Sequence, residues 1–230
     1  MDTTTKAPRY LQSSRSGVEP ESDYVEVIDE PQHYHRFENE FVRVYDVRFA
    51  PGEASLYHRH DEDTMYVTVY DVTVHDHTYQ ADKAQVHNLP AGLSMCRPHK
   101  GDPLIHQVRN DGSGLMHMIG AEVKKLPDTV AEAALEAPFH TLLENLSGAE
   151  RLRLYMIKLE PGETTGPVTY GFSGLTVSIS DANVEYADRG DVRRVISFSP
   201  GSHIWHDGPV TQTLTNRGET AFLAVLGEWC

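Results

Sequence analysis

The feature that most constrains this chain is an internal repeat. Phe41–Val74 aligns without a gap on Arg151–Val184, an offset of 110 residues. Within that block Val44-Tyr45 falls on Leu154-Tyr155, Pro51-Gly52-Glu53 on Pro161-Gly162-Glu163, and Asp71 on Asp181. A second block aligns at an offset of 106, placing Pro103 on Pro209, Asn110 on Asn216, Gly112 on Gly218 and Glu122 on Glu228. The lead-ins agree as well, Glu30-Pro31 to Glu38-Asn39 resembling Ala137-Pro138 to Glu144-Asn145. A chain that repeats both its strands and its turns encodes one structural unit twice. Two copies within 230 residues give units of roughly 100 residues, a common domain size. The units read as 24–126 and 127–230, the second opening on a linker over 127–137. Residues 1–23, rich in Ser, Thr, Pro and charge, read as a flexible arm.

Each unit is β in pattern. Phe41 to Phe49 alternates with period two and stops at Pro51-Gly52, and Met65–Val74 and Leu115–Ala121 are further β-prone runs bounded by turn residues. This spacing predicts an all-β chain of antiparallel barrels or sandwiches. The one helical signal, Thr129–Glu136, falls in the linker. A net charge of −14 excludes nucleic acid as a partner, because phosphate contacts need clustered Lys and Arg, and disfavours anionic membranes. No apolar run reaches the length of a membrane span and no signal-peptide core is present, so a cytoplasmic protein is expected. Cys96 and Cys230 are expected to be free thiols, and no paired-cysteine zinc motif exists.

Chemistry concentrates in the first unit. Pro51-Gly52-Glu53 is followed by His58-Arg59-His60 and Asp61-Glu62-Asp63, and further on Pro90-Ala91-Gly92 is followed by His106 and Asn110. Residues i and i+2 of a strand share a face, so His58 and His60 can aim at one point, as a metal with two imidazole ligands requires.

This arrangement resembles the cupin superfamily, whose first motif is a Gly, a His-x-His pair, an acidic residue and an aromatic-bearing strand, and whose second is Pro-x-Gly followed by His-x-x-x-Asn. The resemblance implies two tandem jelly-roll (cupin) units, with one divalent metal ion held by His58, His60, an acidic residue and His106. Counting back from Tyr66-Val67 selects Asp63 as the acid, with Glu62 second; Asp63 could instead hydrogen-bond a ligand histidine. The stretch Arg97–Asp102 is longer than the motif requires and brings in His99.

The second copy is an internal control. Val168, Tyr170, Ser173 and Gln212 stand where His58, His60, Asp63 and His106 stand in the first, while Pro-Gly-Glu and the Asn persist. The pattern predicts a metal site in the first unit only and makes Glu53 and Asn110 structural. In the same alignment His99 falls on Trp205, Lys100 on His206 and His117 on Leu223. His99, His117, Tyr66 and Arg97 are therefore weaker candidates for contact with a small-molecule substrate, and His75 and His77 read as solvent-facing.

Neutral imidazoles with a carboxylate suit Fe(II), and also Mn, Ni, Cu, Co and Zn. The resemblance implies an Fe(II) oxygenase of the dioxygenase type acting on a small polar molecule. A non-redox metal-dependent lyase or isomerase is one alternative and a ligand-binding cupin without turnover is another. No residue is assigned as a separate general base. Homodimerisation through exposed sheet edges is expected.

Overall fold

The computed structural model describes residues 23–126, 133–144, 152–189 and 192–229. The proposed arm up to residue 22, Cys230 and most of the linker lie outside these residues. Of the predicted linker helix, residues 133–136 are non-helical and the rest lies outside the described residues.

The first unit contains β1 (Val25–Glu26), β2 (His33–Glu38), β3 (Val42–Phe49), β4 (His58–His60), β5 (Thr64–Thr68), β6 (Val72–Thr78), β7 (Gln85–Leu89), β8 (Ser94–Arg97), β9 (Leu104–Asn110) and β10 (Met116–Val123). The second contains β11 (His140–Glu144), β12 (Leu152–Leu159), β13 (Thr164–Tyr170), β14 (Ser173–Ser178), β15 (Ala182–Asp188), β16 (Arg193–Phe198), β17 (His203–His206), β18 (Val210–Asn216) and β19 (Phe222–Trp229). Each unit is a pair of sheets. The first has orders β1-β4-β9-β6-β7 and β2-β3-β10-β5-β8; the second has β13-β18-β15-β16 and β11-β12-β19-β14-β17. The two orders are the same apart from β1, which pairs in parallel with β4 and has no counterpart among the described strands.

The register repeats residue by residue. His58 pairs with His106 across β4 and β9, and Val168 pairs with Gln212 across β13 and β18. The turns are rebuilt too. Asn110 Nδ2 donates to the Phe49 and Gly114 carbonyls while its Oδ1 accepts from Gly112 N; Asn216 does the same with Leu159, Thr220 and Gly218. Glu53 Oε2 accepts from Ala50 N as Glu163 Oε2 accepts from Glu160 N.

The register also corrects one part of the alignment. Cys96 pairs with Met65, and Trp205 with Leu175, so Trp205 is the counterpart of Cys96 and His206 that of Arg97. The extra residues of the first copy fall mainly in the turn between β8 and β9. His99 sits in that turn and does not correspond to Trp205, nor Lys100 to His206.

One core lies between the units. Val44, Met65, Ile119 and Ala121 pack with Leu154, Leu175, Val225 and Trp229. Strands β3 and β10 thus carry apolar residues on both faces, one toward the other unit and one into their own barrel. Gly201, at φ +86°, closes this interface; a Cβ there would stand 2.3 Å from His117 Cε1, so both the backbone and the space require glycine.

Candidate metal centre

Strand β4 places His58 and His60 on the inner face of the first barrel, both buried, and β9 sets His106 directly opposite His58. The His58 ring centroid is 4.9 Å from that of His60 and 4.7 Å from that of His106, and His60 and His106 are 5.2 Å apart. A fourth histidine enters from the opposing sheet. His33, on β2, has its ring 4.6 Å from that of His58 and 6.1 Å from that of His60. One donor atom each from His33, His58 and His60 falls within 4.8 Å of the others. Ligands about 2.1 Å from one ion lie about 3–4.2 Å apart, so this group is near the spread that an ion requires.

Each ring has one nitrogen engaged from behind. His58 Nδ1 is 2.9 Å from the Leu56 carbonyl, His106 Nδ1 2.9 Å from Asp76 Oδ1, His33 Nδ1 2.6 Å from Glu30 Oε2, and His60 Nδ1 3.3 Å from the Tyr66 hydroxyl. Histidines that bind metals are held in this way, the outer partner fixing tautomer and orientation. His58 Nε2 is buried without a hydrogen-bond partner, which is costly unless something else meets it. Burial, and then the neighbouring imidazoles, hold His58 and His60 well below the usual histidine range. Both are therefore neutral at pH 7, the state that donates a lone pair. The spacing of His33, His58 and His60, and the neutral state of His58 and His60, fit a divalent transition metal.

The cluster opens into a cavity of about 350 Å³, at the small end of the range of about 300–1,000 Å³ for ligand sites. Its walls include Val47, Phe49, Leu89, Met95, Leu104 and Met118, with Tyr66, His99 and Arg97 among the polar lining residues. The Tyr66 hydroxyl lies between His60 Nδ1 and His99 Nε2, 3.2 Å from the latter. Burial, and then His106, bring His99 down to about 4, so it too is neutral.

Other sequence candidates lie elsewhere. Asp63 is buried but is not among the cavity-lining residues; its Oδ1 accepts the Lys100 N–H at 2.9 Å and so holds the β8–β9 turn. Glu62 pairs with Lys100 Nζ at 2.9 Å. His117, expected to face the barrel, faces the second unit, because residues 117, 119 and 121 of β10 alternate away from the cavity-lining Met116 and Met118. It lies 2.9 Å from Asp46 Oδ1. Burial raises the Asp46 carboxyl, but the nearby His117 ring and hydrogen bonds from Arg48 outweigh it and bring the group to about 2. His77 is half-buried and its Nε2 is 3.0 Å from the Ala81 carbonyl.

Sequence reasoning missed His33, Glu30 and Asp76. A signal for His33 existed. It pairs with Val47 as His140 pairs with Ile157, so a histidine opens the lead-in strand of both copies.

The second barrel is closed. Tyr170, Tyr186, Leu214 and Leu226 line a space of about 20 Å³, enough for about one water. The Tyr170 hydroxyl is 3.0 Å from His140 Nε2.

No family model and no curated protein sequence matches the chain. Among solved structures, AerE from Microcystis aeruginosa superposes with a TM-score of 0.57 at 10% identity, over 84% of this chain and 90% of that one. Salicylate 1,2-dioxygenase from Pseudoaminobacter salicylatoxidans, as its gentisate adduct, gives 0.56 at 15% identity over 82% and 68%. The repeat, the strand orders and these superpositions together give the fold: two tandem antiparallel β-barrel units of cupin-like fold.

Proposed function

We propose that the first unit is a metal-dependent enzyme, an Fe(II) oxygenase, in which His58, His60 and His106 hold the ion. The observation that carries this reading is a cavity of about 350 Å³ that ends on buried histidines, each already oriented by an outer partner. Iron bound there would supply the redox chemistry that lets dioxygen react with an organic molecule.

The chain's own residues define the rest. Val47, Phe49, Leu89, Met95, Leu104 and Met118 exclude water and select a substrate with an apolar body, which revises the polar substrate expected from sequence. Arg97, exposed and lining the same cavity, offers a permanent positive charge and planar donors to an anionic group. A small aromatic acid has this composition, and gentisate, the compound in the salicylate dioxygenase adduct, is one. With His60 giving Nε2 to the ion, its Nδ1–H donates to the Tyr66 oxygen and the Tyr66 O–H donates to His99 Nε2. This chain of hydrogen bonds fixes the His60 tautomer and couples the ligand to a residue lining the cavity.

The test is dioxygen uptake by iron-reconstituted protein over a panel of small aromatic and aliphatic acids. Stoichiometric uptake with product formation is expected, together with a rise in KM on Arg97→Ala. Turnover that continues under argon with Zn(II) or Mn(II) would replace the oxygenase by a lyase or isomerase. A ligand that binds and is recovered unchanged would overturn the enzyme reading.

A further inference from the structure

We infer that His33 is a fourth imidazole ligand, taking the coordination place that the cupin motif gives to a carboxylate. The inference rests on the metal reading above and concerns the composition of the same site.

No carboxylate of the first motif fills that place. Asp63 accepts from Lys100 N and Glu62 pairs with Lys100 Nζ. Position 64, four residues after His60, is a threonine whose hydroxyl donates to the Glu62 carbonyl. Glu122, a further buried acid of this barrel, accepts from Arg43 Nη1 at 3.0 Å and from the Tyr45 hydroxyl at 3.3 Å.

His33 has the position and the support of a ligand. Its side chain is 8% exposed, and its ring is as near His58 as that of His106, 4.6 Å against 4.7 Å. Glu30 engages Nδ1, which leaves Nε2 for an ion. The second unit shows where a histidine at this strand position aims Nε2. His140 directs it into the barrel, to the hydroxyl of Tyr170, the residue that stands in place of His60. Glu30 is itself fixed, being buried and accepting from Gln32 N at 2.8 Å and Leu56 N at 3.2 Å. The Leu56 carbonyl in turn receives His58 Nδ1, so one short segment orients two of the four rings.

Charge gives the same answer. Imidazole ligands bring no negative charge to a divalent ion, and two carboxylates are hydrogen-bonded to the rings, Glu30 to His33 and Asp76 to His106. The two negative charges that the ion requires are thus present one hydrogen bond away, where they polarise the ligands without occupying the ion's own coordination places.

The experiment loads metal-free protein with Cu(II) and counts coordinated imidazole nitrogens by pulsed EPR, with affinity from chelator competition. Four nitrogens are expected in the wild type and three in both His33→Ala and His33→Gln. Their affinity loss should exceed the roughly 10- to 100-fold typical of outer-partner substitutions. Glu30→Gln should keep four nitrogens and weaken binding within that range, and Asp63→Asn should change neither reading. Three nitrogens in the wild type, or an unchanged count in either His33 variant, would overturn the inference and leave the three-histidine site standing. Unchanged Cu(II) loading in His58→Ala would instead overturn the metal reading on which it rests.

Discussion

The two units of this molecule are the same scaffold with different contents. Their strands pair in the same order and register, and both carry the Asn-held turn and an Arg-Tyr pair on a buried glutamate, on equivalent strands. In the first unit these are Arg43, Tyr45 and Glu122; in the second they are Arg153, Tyr155 and Glu228, with Arg153 Nη1 at 2.9 Å and the Tyr155 hydroxyl at 2.5 Å from the carboxylate. The interiors diverge. Where the first has His58, His60, Asp76 and His106 around a cavity of about 350 Å³, the second has Val168, Tyr170, Tyr186 and Gln212 around about 20 Å³. Whatever the units share is therefore demanded by folding, and whatever only the first possesses is available to chemistry. His33 and His140 refine that rule: one strand position serves a hydrogen bond in one unit and, by the inference above, an ion in the other.

The largest expected effect tests the shared part. Glu228 and Arg153 are buried, and burial pushes the Glu228 carboxyl up despite its two partners. Removing the cation with Arg153→Ala should cost about 3–5 kcal/mol in denaturant unfolding. Arg43→Ala should cost less, because solvent reaches a quarter of the Arg43 side chain. Equal losses would break the distinction between a sealed and a wetter barrel.

Asn110→Ala and Asn216→Ala should each cost about 1–3 kcal/mol, since each strands the same buried backbone groups. The two losses should match, and Asn110→Ala should leave metal content unchanged. A metal defect without a stability defect would give Asn110 a chemical role.

In the first unit alone, Asp76→Asn should weaken metal binding about 10- to 100-fold, and Tyr66→Phe should act at the lower end of that range. Chelator competition on folded protein measures both. No change for Asp76→Asn would remove His106 from the ligand set.

The smallest effect is common to both units. His99 and His206 are both brought to about 4 by burial, one in each barrel, against about 6.5 in an unfolded chain. Between these values the unfolded state binds more protons, so stability rises with pH there and is lost as pH falls from about 6.5 toward 4. The Tm of metal-free protein should fall over that window, less steeply in His206→Gln. A Tm independent of pH across it would contradict the burial of both rings.

Much of this was legible in the sequence because repetition makes turns and strands visible. Pro51-Gly52-Glu53 and Asn110 recur, and the structure gives each recurrence identical hydrogen bonds. The i, i+2 spacing of His58 and His60 likewise forecasts two rings on one face. Three things were hidden. His33 lies in a lead-in strand with no spacing rule tying it to His58; its recurrence as His140 was visible, but shared positions point first to the scaffold. Asp63 is the acid that counting selects, and the β8–β9 turn folds back to set Lys100 N on its Oδ1, outside the cavity lining. His117 lies on a strand buried on both faces, where a one-residue change of register exchanges the barrel for the interface.

The central claim is one metal per chain, held in the first barrel. Elemental analysis of purified wild type beside His58→Ala, His60→Ala, His106→Ala and Tyr170→Phe tests it most directly. The expected result is about one equivalent of transition metal in the wild type and in Tyr170→Phe, and close to none in the three histidine variants. Metal retained in all three histidine variants, or lost in Tyr170→Phe, would contradict it.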